Sequence, residues 1–307
     1  MTRIALCFPG QGSQCAGMAR GLLDHPLAVR LIEVAHSEGL DLATALKGSD
    51  DDLRATEVAQ PALLLVELVL SAMLPDGIDV VGVAGHSVGE YAAVTVAGAY
   101  APDDVMRLVI RRGREMAGMT DGTMAAILGV DVDAVEAACA QTRAHGEVVV
   151  VANVNAPGQT VISGTAAGVD AAASRAREAG ARRVIPLNVS GAFHSPLMAP
   201  AAARFATAIA ATPRHQLTTA VVCNVDGATV KQAAALPDRL TRQLESPVRW
   251  IDCVGGLRAL GAETLVEVGP GSVLTGLARR IDPAIRTASV SDRAGAQTLA
   301  ELRTALS

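Results

Sequence analysis

The sequence of 307 residues contains very few aromatic side chains: three Phe, two Tyr and one Trp. This scarcity argues against binding of nucleic acid by base stacking, which requires aromatic platforms. Positive charge is not in excess either, because 26 Lys and Arg stand against 31 Asp and Glu, for a net charge of −5. A broad nucleic-acid footprint would be basic, so we expect no nucleic-acid partner.

The chain also lacks a cysteine pattern and a long apolar run. Its five cysteines are scattered with no Cys-x-x-Cys pair, which favours neither a disulfide framework nor a zinc site. No uninterrupted stretch of about 18 apolar residues occurs, and the first apolar run, Ile4–Phe8, is too short for a secretion signal. We therefore expect a soluble, cytoplasmic protein that does not contact membranes.

Half of the residues are hydrophobic and only 19% are charged, so the chain has ample material for a buried core of Ala, Val, Leu and Ile. Short apolar runs alternate with helical patterns, which is typical of an α/β fold with a parallel sheet. The predicted strands of this part are residues 4–8, 80–84, 221–224 and 264–268, and the predicted helices are residues 61–74, 90–97 and 274–280.

The middle third has a different order of elements, β-α-β-β-α-β, which is the ferredoxin-like arrangement. Its predicted strands are residues 124–130, 147–154, 159–163 and 183–189, and its predicted helices are residues 132–142 and 166–179. Because the α/β pattern resumes afterwards, we interpret this part as an insert. The predicted domains are a large α/β catalytic domain of residues 1–122 and 192–307 and a small ferredoxin-like domain of residues 123–191.

A Gly-x-Ser-x-Gly stretch, Gly85-His86-Ser87-Val88-Gly89, follows a predicted strand and precedes a predicted helix. This is the context of a nucleophile elbow, in which the flanking glycines allow a sharp turn that exposes the serine. The helix N-terminus behind the turn can stabilise developing negative charge. Ser87 is therefore the candidate nucleophile, and an ordinary Gly-rich turn is the alternative.

A nucleophilic serine needs a base, and His194 is the candidate because it lies in a loop directly after a predicted strand. Position alone leaves open a structural histidine. Ordinary α/β-hydrolases place their catalytic histidine late in the chain, whereas here the last histidine is His215. This order weakens a lipase or esterase assignment and favours another way of bringing the serine and the histidine together.

Two further segments are candidates for binding. The loop Pro9-Gly10-Gln11-Gly12 follows the first strand, but the third glycine of a dinucleotide fingerprint is replaced by Cys15, so orienting a carbonyl oxygen is the better interpretation. The segment Arg111-Arg112-Gly113-Arg114 follows a predicted helix of residues 103–110. It is either a solvated helix end or the source of an arginine that grips a carboxylate.

Together these segments resemble the malonyl-CoA:acyl-carrier-protein transacylases and the related acyltransferase domains of polyketide synthases. Eight motifs occur in the family's order over nearly the whole chain. They are residues 9–14 (PGQGSQ), 60–62 (QPA), 85–90 (GHSVGE), 112–113 (RG), 155–159 (NAPGQ), 191–195 (GAFHS), 247–250 (PVRW) and 267–271 (EVGPG). The resemblance implies an α/β-hydrolase-like large domain with a ferredoxin-like insert.

The resemblance also implies a role for each matching residue of the reaction centre. Ser87 is the nucleophile that carries the acyl group as an ester, and His194 is the general base and then the general acid. The histidine is oriented by a backbone carbonyl, for which the matching position is Gln243. Gln11 and Val88 match the oxyanion-hole positions through their backbone N–H groups.

Four more residues match substrate-binding positions of the family. Arg112 matches the arginine that pairs with the free carboxylate of malonate, a pairing that selects dicarboxylic acyl groups over acetyl. Phe193 matches a bulky position in malonyl-selective relatives. Gln60 and Asn155 resemble positions that contact the acyl pocket and the pantetheine.

The implied function is transfer of a malonyl group from malonyl-CoA, through a serine ester, to the phosphopantetheine thiol of an acyl carrier protein in fatty acid or polyketide biosynthesis. Coenzyme A thioester is then a substrate, and no metal or redox cofactor is implied. Because carrier proteins of this kind are acidic, docking needs a local basic patch. The candidates are Arg182-Arg183 and Arg279-Arg280, for which solvated element ends are the alternative.

Three other functions remain open. The chain could be a trans-acting acyltransferase of a polyketide pathway or of a malonate decarboxylase, with another acyl group or carrier. It could be a serine hydrolase or thioesterase that uses the same elbow. Finally, it could be a non-catalytic scaffold that binds a carrier protein.

Overall fold

The structure, a computed structural model, describes residues 3–75 and 77–298. Residues 1–2, 76 and 299–307, which belong to the predicted large domain, lie outside the described residues. The strands are β1 (Ile4–Phe8), β2 (Val80–Gly85), β3 (Thr123–Leu128), β4 (Val149–Ala156), β5 (Gln159–Gly164), β6 (Arg183–Pro186), β7 (Val221–Val222), β8 (Thr229–Val230), β9 (Thr264–Val268) and β10 (Arg286–Val290).

The helices alternate with these strands. They are α1 (Pro26–Ser37), α2 (Leu42–Lys47), α3 (Thr56–Ala72), α4 (Gly89–Val96), α5 (Pro102–Ala117), α6 (Val132–Arg143), α7 (Ala166–Glu178), α8 (Ala199–Ala211), α9 (Leu236–Arg242), α10 (Trp250–Ala259) and α11 (Val273–Ile281). No helix in the described part of the chain is long and apolar enough to cross a bilayer.

Six strands form one sheet in the order β10-β9-β1-β2-β7-β8. All neighbours are parallel except β7 and β8, which are antiparallel. The central strand β1 is buried along its whole length, as expected for a strand covered on both faces. The predicted mixed α/β fold with a parallel sheet is therefore confirmed, and the carboxyl ends of β1, β2 and β9 meet at one edge.

The other four strands form an antiparallel sheet in the order β4-β5-β3-β6. Helices α6 and α7 pack against it through a separate hydrophobic cluster that includes Val135, Ile162 and Ala172. Val248 lies just before α10 and packs in the hydrophobic cluster that contains Ala5 of β1 and Leu265 of β9. Its backbone exchanges two hydrogen bonds with β4, at Ala152 and Val154. The loops at this junction surround the candidate site.

Two helices differ from their predicted bounds in ways that affect the site. Helix α3 begins at Thr56, before the predicted start, and contains Pro61 in its interior. Proline at this position removes one hydrogen bond of the helix, because it has no N–H. Helix α5 continues to Ala117, so Arg111 and Arg112 lie inside it and Arg114 lies in its last turn. Arg111 and Arg114 are exposed, as a solvated helix end requires, whereas Arg112 is buried.

Sequence periodicity missed α1, α2, α8, α9, α10 and the edge strands β8 and β10. Eight of the 13 residues of helix α8 are alanine, and Phe205 and Ile209 are the large apolar residues of its buried face, so its apolar period is weak. Strand β6 ends at Pro186, three residues before the predicted end. The remaining predicted elements are confirmed to within about two residues at each end.

Candidate active site

The turn between β2 and α4 presents Ser87 in a rare backbone conformation. Ser87 has φ of 52° and His194 has φ of 58°, and among the described residues they are the only non-glycine positions with positive φ. Such positions cost about 1–3 kcal/mol each and cluster at functional sites. A Cβ on Gly85 would lie 1.9 Å from the Gly89 carbonyl carbon, so the turn requires glycine there.

His194 joins Ser87 to Gln243. Its Nε2 lies 2.8 Å from Ser87 Oγ, and its Nδ1 lies 2.8 Å from the Gln243 backbone oxygen. Because a carbonyl oxygen only accepts, Nδ1 carries the ring proton and Nε2 is left to accept the proton of the serine hydroxyl. Burial, and then the charge of Arg112, lower the pKa of His194 to about 3, so the imidazole is neutral near pH 7.

Arg112 lies beside this pair with 1% of its surface exposed. Nη1 donates to Gln60 Oε1 at 2.7 Å, and Nη2 donates to Gln243 Oε1 at 2.9 Å and to Ser87 Oγ at 3.2 Å. The guanidinium also lies 5.3 Å from the centre of the Tyr91 ring. In the part of the chain that is described, Nε has no partner and no carboxylate forms an ion pair with Arg112. A buried cation held by neutral amide oxygens is suited to bind an incoming anion.

Two backbone N–H groups, in the loop after β1 and in the turn after β2, have no acceptor among the described residues. Within the described ranges neither Gln11 N nor Val88 N donates a hydrogen bond, whereas the neighbouring Ser87 N–H does. Val88 lies at the N-terminus of α4, where helix N–H groups have no intrahelical acceptor. The Gln11 side chain donates to Thr56 Oγ1 at 3.1 Å, which holds its loop against α3. Gln11 and Val88 thus supply donors of the kind an oxyanion requires.

The other predicted binding residues lie at the margin of the site. Phe193 precedes His194 and is 6% exposed. Asn155 Oδ1 accepts a hydrogen bond from Nε2 of His86 at 2.8 Å, and the His86 ring packs at 5.6 Å against Trp250. The side chain of Asn155 therefore restrains the histidine next to Ser87.

The proposed docking arginines are exposed, as either interpretation requires. Arg279 donates to Thr287 Oγ1, and Arg280 donates to Pro157 O in the turn between β4 and β5. Arg280 thereby links α11 to the four-stranded sheet through a hydrogen bond.

Sequence reasoning missed two residues that hold the site together. Asn224 Oδ1 accepts from the Ser87 N–H at 2.8 Å, and its Nδ2 donates to Gly85 O at 2.7 Å, so one amide clamps both sides of the turn. Glu90 accepts from the Gln243 side chain and from the Asn224 N–H. The only sequence signals were a polar residue at the end of a predicted strand and an acid beside the Gly-x-Ser-x-Gly stretch.

Within the described residues no group of three or more His, Cys, Asp or Glu is arranged to hold a metal ion. The arrangement that is present pairs a serine hydroxyl with a neutral imidazole and an anion-binding arginine. It can perform nucleophilic chemistry at a carbonyl and can hold a carboxylate nearby.

Comparison with known proteins gives consistent matches over nearly the whole chain. The acyl transferase domain model matches residues 6–295. The malonyl CoA-acyl carrier protein transacylase of Bacillus subtilis is 41% identical, covering 95% of this chain and 94% of its own length. The protein of the same name from Escherichia coli K12 is 39% identical, covering 98% and 100%.

Solved structures give the same result. A malonyl-transacylase solved in complex with a type II PKS acyl-carrier protein superposes with a TM-score of 0.92 at 36% identity, covering 98% of this chain and 100% of that chain. An acyl carrier protein S-malonyltransferase from Vibrio cholerae gives 0.90 at 37% identity, covering 96% and 99%.

Proposed function

Because the chain belongs to the malonyl CoA-acyl carrier protein transacylase family of acyl transferase domains, we propose that it moves a malonyl group from malonyl-CoA to the phosphopantetheine thiol of an acyl carrier protein. The single observation that carries the proposal is the 2.8 Å pairing of Ser87 Oγ with His194 Nε2 beside the buried Arg112. A coenzyme A thioester is the substrate, and no metal or redox cofactor enters the proposed steps.

In the first step Ser87 Oγ attacks the thioester carbonyl while its proton moves to His194 Nε2. The tetrahedral intermediate collapses, the C–S bond breaks, and the imidazolium returns the proton to the leaving coenzyme A thiolate. In the second step the carrier-protein thiol attacks the serine ester after giving its proton to His194. Cleavage of the ester bond then regenerates the Ser87 hydroxyl with that proton.

The backbone N–H groups of Gln11 and Val88 stabilise the oxyanion of each tetrahedral intermediate. One such donor contributes about 3 kcal/mol in comparable sites. The Gln243 carbonyl keeps His194 in the required tautomer and stabilises the imidazolium as it forms. This carbonyl takes the place of the carboxylate in a Ser-His-Asp triad.

Arg112 binds the free carboxylate of the malonyl group and thereby places the thioester carbonyl over Ser87. The support is its burial and its pairing with neutral side chains only, including the Gln60 amide oxygen. Phe193 limits the space at the acyl group. Asn155 contributes to the coenzyme A and phosphopantetheine path.

We also propose the finer description of the fold. The antiparallel order β4-β5-β3-β6 with two packed helices supports a ferredoxin-like domain of residues 123–191. The mostly parallel sheet with its nucleophile turn after β2 supports an α/β-hydrolase-like domain of residues 1–122 and 192–307. Arg182-Arg183 and Arg279-Arg280 form the basic patches that meet an acidic carrier protein.

The direct test is intact mass spectrometry after mixing with malonyl-CoA. We expect a malonyl adduct on the wild-type protein and none on Ser87→Ala, because only Ser87 Oγ is paired with the base. Ser289→Ala is the matched control, since Ser289 is exposed on β10 and has no side-chain hydrogen bond within the described residues.

Adding coenzyme A or a carrier protein bearing the phosphopantetheine thiol should discharge the adduct to the corresponding thioester. Labelling of Ser87→Ala at the wild-type level would remove Ser87 from its role. Rapid release of free malonate with no acceptor present would identify a hydrolase instead.

A further inference from the structure

A buried carboxylate lies behind the site, on the first turn of α4. Glu90 is 1% exposed. One of its oxygens accepts from Gln243 Nε2, and both lie within hydrogen-bond distance of the Asn224 N–H. The proposed reaction steps do not use Glu90, although a buried acid is costly unless its charge is compensated.

Its compensation comes through Gln243. The Gln243 side chain donates to Glu90 through Nε2 and accepts from Arg112 Nη2 through Oε1 at 2.9 Å. One amide therefore links the guanidinium to the carboxylate. The backbone oxygen of Gln243 also accepts from His194 Nδ1. Glu90 therefore influences the positions of both Arg112 and His194 through Gln243.

Among the described residues, Arg112 is the one ionisable neighbour of Glu90 that is charged near neutral pH. Tyr91 on its own helix and the thiols of Cys223 and Cys253 also face it, but burial raises the pKa of all three far above neutrality. The buried acid of α3, Glu67, is coupled to Glu267 instead.

We propose that Glu90 is a positioning residue for the acyl carboxylate, acting as the resident counter-charge of Arg112 and taking up a proton when that carboxylate binds. This inference rests on the proposed function, because it requires a substrate that brings a carboxylate to Arg112. The incoming anion neutralises the guanidinium and adds negative charge to the site, which disfavours a second buried anion.

Glu90 is suited to this exchange because burial raises its pKa to about 7, against the opposing effects of Gln243 and Arg112. With Arg112 neutralised by substrate, the protonated form becomes more favourable. Its carbonyl oxygen still accepts from Gln243 Nε2, so the histidine and the arginine keep their places while the charge changes.

The test is isothermal titration calorimetry of malonyl-CoA with Ser87→Ala, which cannot be acylated. Titration near pH 7 in two buffers of different ionisation enthalpy gives the protons taken up per ligand bound. We expect roughly half a proton for Ser87→Ala and close to none for Ser87→Ala/Glu90→Gln. Acetyl-CoA is the ligand control, because it has the same nucleotide and no carboxylate.

The matched protein control is Ser87→Ala/Glu67→Gln, which removes another buried acid and should keep the uptake. Uptake that persists in the Glu90→Gln protein would assign the proton to another group and overturn the inference. Absence of malonyl-CoA binding in Ser87→Ala would instead count against the proposed function, so the two failures are distinguishable.

A measurement on the wild-type protein covers the case in which Glu90→Gln does not fold. KM for malonyl-CoA should rise severalfold between about pH 6 and about pH 8.5, while KM for acetyl-CoA stays flat, because only malonyl binding requires the proton. A malonyl KM with the same pH dependence as the acetyl KM would overturn the inference.

Discussion

At the scale of single residues, the site is built from neutral groups around one buried cation. His194 is held neutral by burial and by the charge of Arg112. Arg112 itself is held by amide oxygens, which satisfy its donors without cancelling its charge. The site favours a substrate with a negative charge, because without one the nearest counter-charge to Arg112 is Glu90, on the far side of the Gln243 amide.

We predict that Arg112→Ala lowers kcat/KM for malonyl transfer by about a hundredfold or more and raises acetyl transfer relative to it. Removing a buried charged partner costs about 2–5 kcal/mol, and the vacated space no longer requires a carboxylate. Steady-state rates with malonyl-CoA and acetyl-CoA measure the change.

Arg111→Ala is the matched control, because Arg111 is the preceding residue of α5 but is exposed and, within the described residues, forms an ion pair with Glu115 alone. It should keep the malonyl preference. An unchanged malonyl-to-acetyl ratio in Arg112→Ala would show that another group recognises the acyl carboxylate.

At the scale of elements, the strand-turn-helix unit of β2 and α4 depends on close backbone contacts. A Cβ at Gly89 would lie 2.2 Å from Phe8 O, so α4 starts directly against the end of β1. This contact places the start of α4 beside the loop that follows β1 and contains Gln11. The position of the helix and the geometry of the proposed oxyanion donors, Gln11 and Val88, therefore depend on the same contact.

We predict that Gly89→Ala lowers the midpoint of thermal unfolding by several degrees or more and reduces acylation at Ser87, because backbone atoms must move to admit the methyl group. Gly255→Ala is the control. Gly255 lies in α10, and a Cβ there meets nothing within 4 Å.

The control substitution should leave activity unchanged and raise stability by about 0.5–1 kcal/mol, as alanine does in a helix interior. Thermal unfolding and intact-mass labelling separate the two variants. Equal behaviour of Gly89→Ala and Gly255→Ala would contradict the argument that β1 and α4 are in fixed contact.

At the scale of the whole molecule, the core contains two more buried acids, Glu67 and Glu267, that the proposed reaction does not use. Glu67 on α3 is fully buried, and neither of its oxygens has a partner within the described residues. Glu267 on β9 accepts from the first N–H groups of α11. Burial, and then the proximity of Glu267, raise the pKa of Glu67 well above its ordinary value.

We predict that Glu67→Gln stabilises the protein at alkaline pH and not at acid pH. In the unfolded chain Glu67 ionises above about pH 4.5, whereas in the folded protein it stays protonated to higher pH. Folding therefore takes up a proton in this window, and the free energy of unfolding falls as pH rises. Glutamine removes that dependence.

Thermal unfolding of both proteins between about pH 4.5 and about pH 8 measures the effect, with an expected gain of a few degrees at the upper end. Glu178→Gln, at an exposed position of α7, should show no such gain. A difference between Glu67→Gln and wild type that is constant with pH would rule out ionisation as its cause.

Local sequence patterns were sufficient to predict several strands and the turn at Ser87. Buried apolar runs identified β1, β2 and β9, and the glycines around Ser87 identified the turn, because both signals lie within a few neighbouring residues. The role of Arg112 stayed ambiguous, because helix periodicity does not show where α5 ends or which of its arginines is buried. Alanine-rich α8 was missed because alanine lies on both its buried and its exposed faces, which weakens the apolar period.

By itself the sequence determined the alternation of strands and helices, the sharp turn at Ser87, and through its motifs the family. Only the tertiary structure decided that Ser87 meets His194 across 107 residues and that Arg112 meets Gln243 across 131. It also brought Asn224 and Glu90 behind the turn. These long-range contacts depend on how the two sheets and their loops pack. Packing depends on the whole core, and the local periodicity of a sequence contains no information about it.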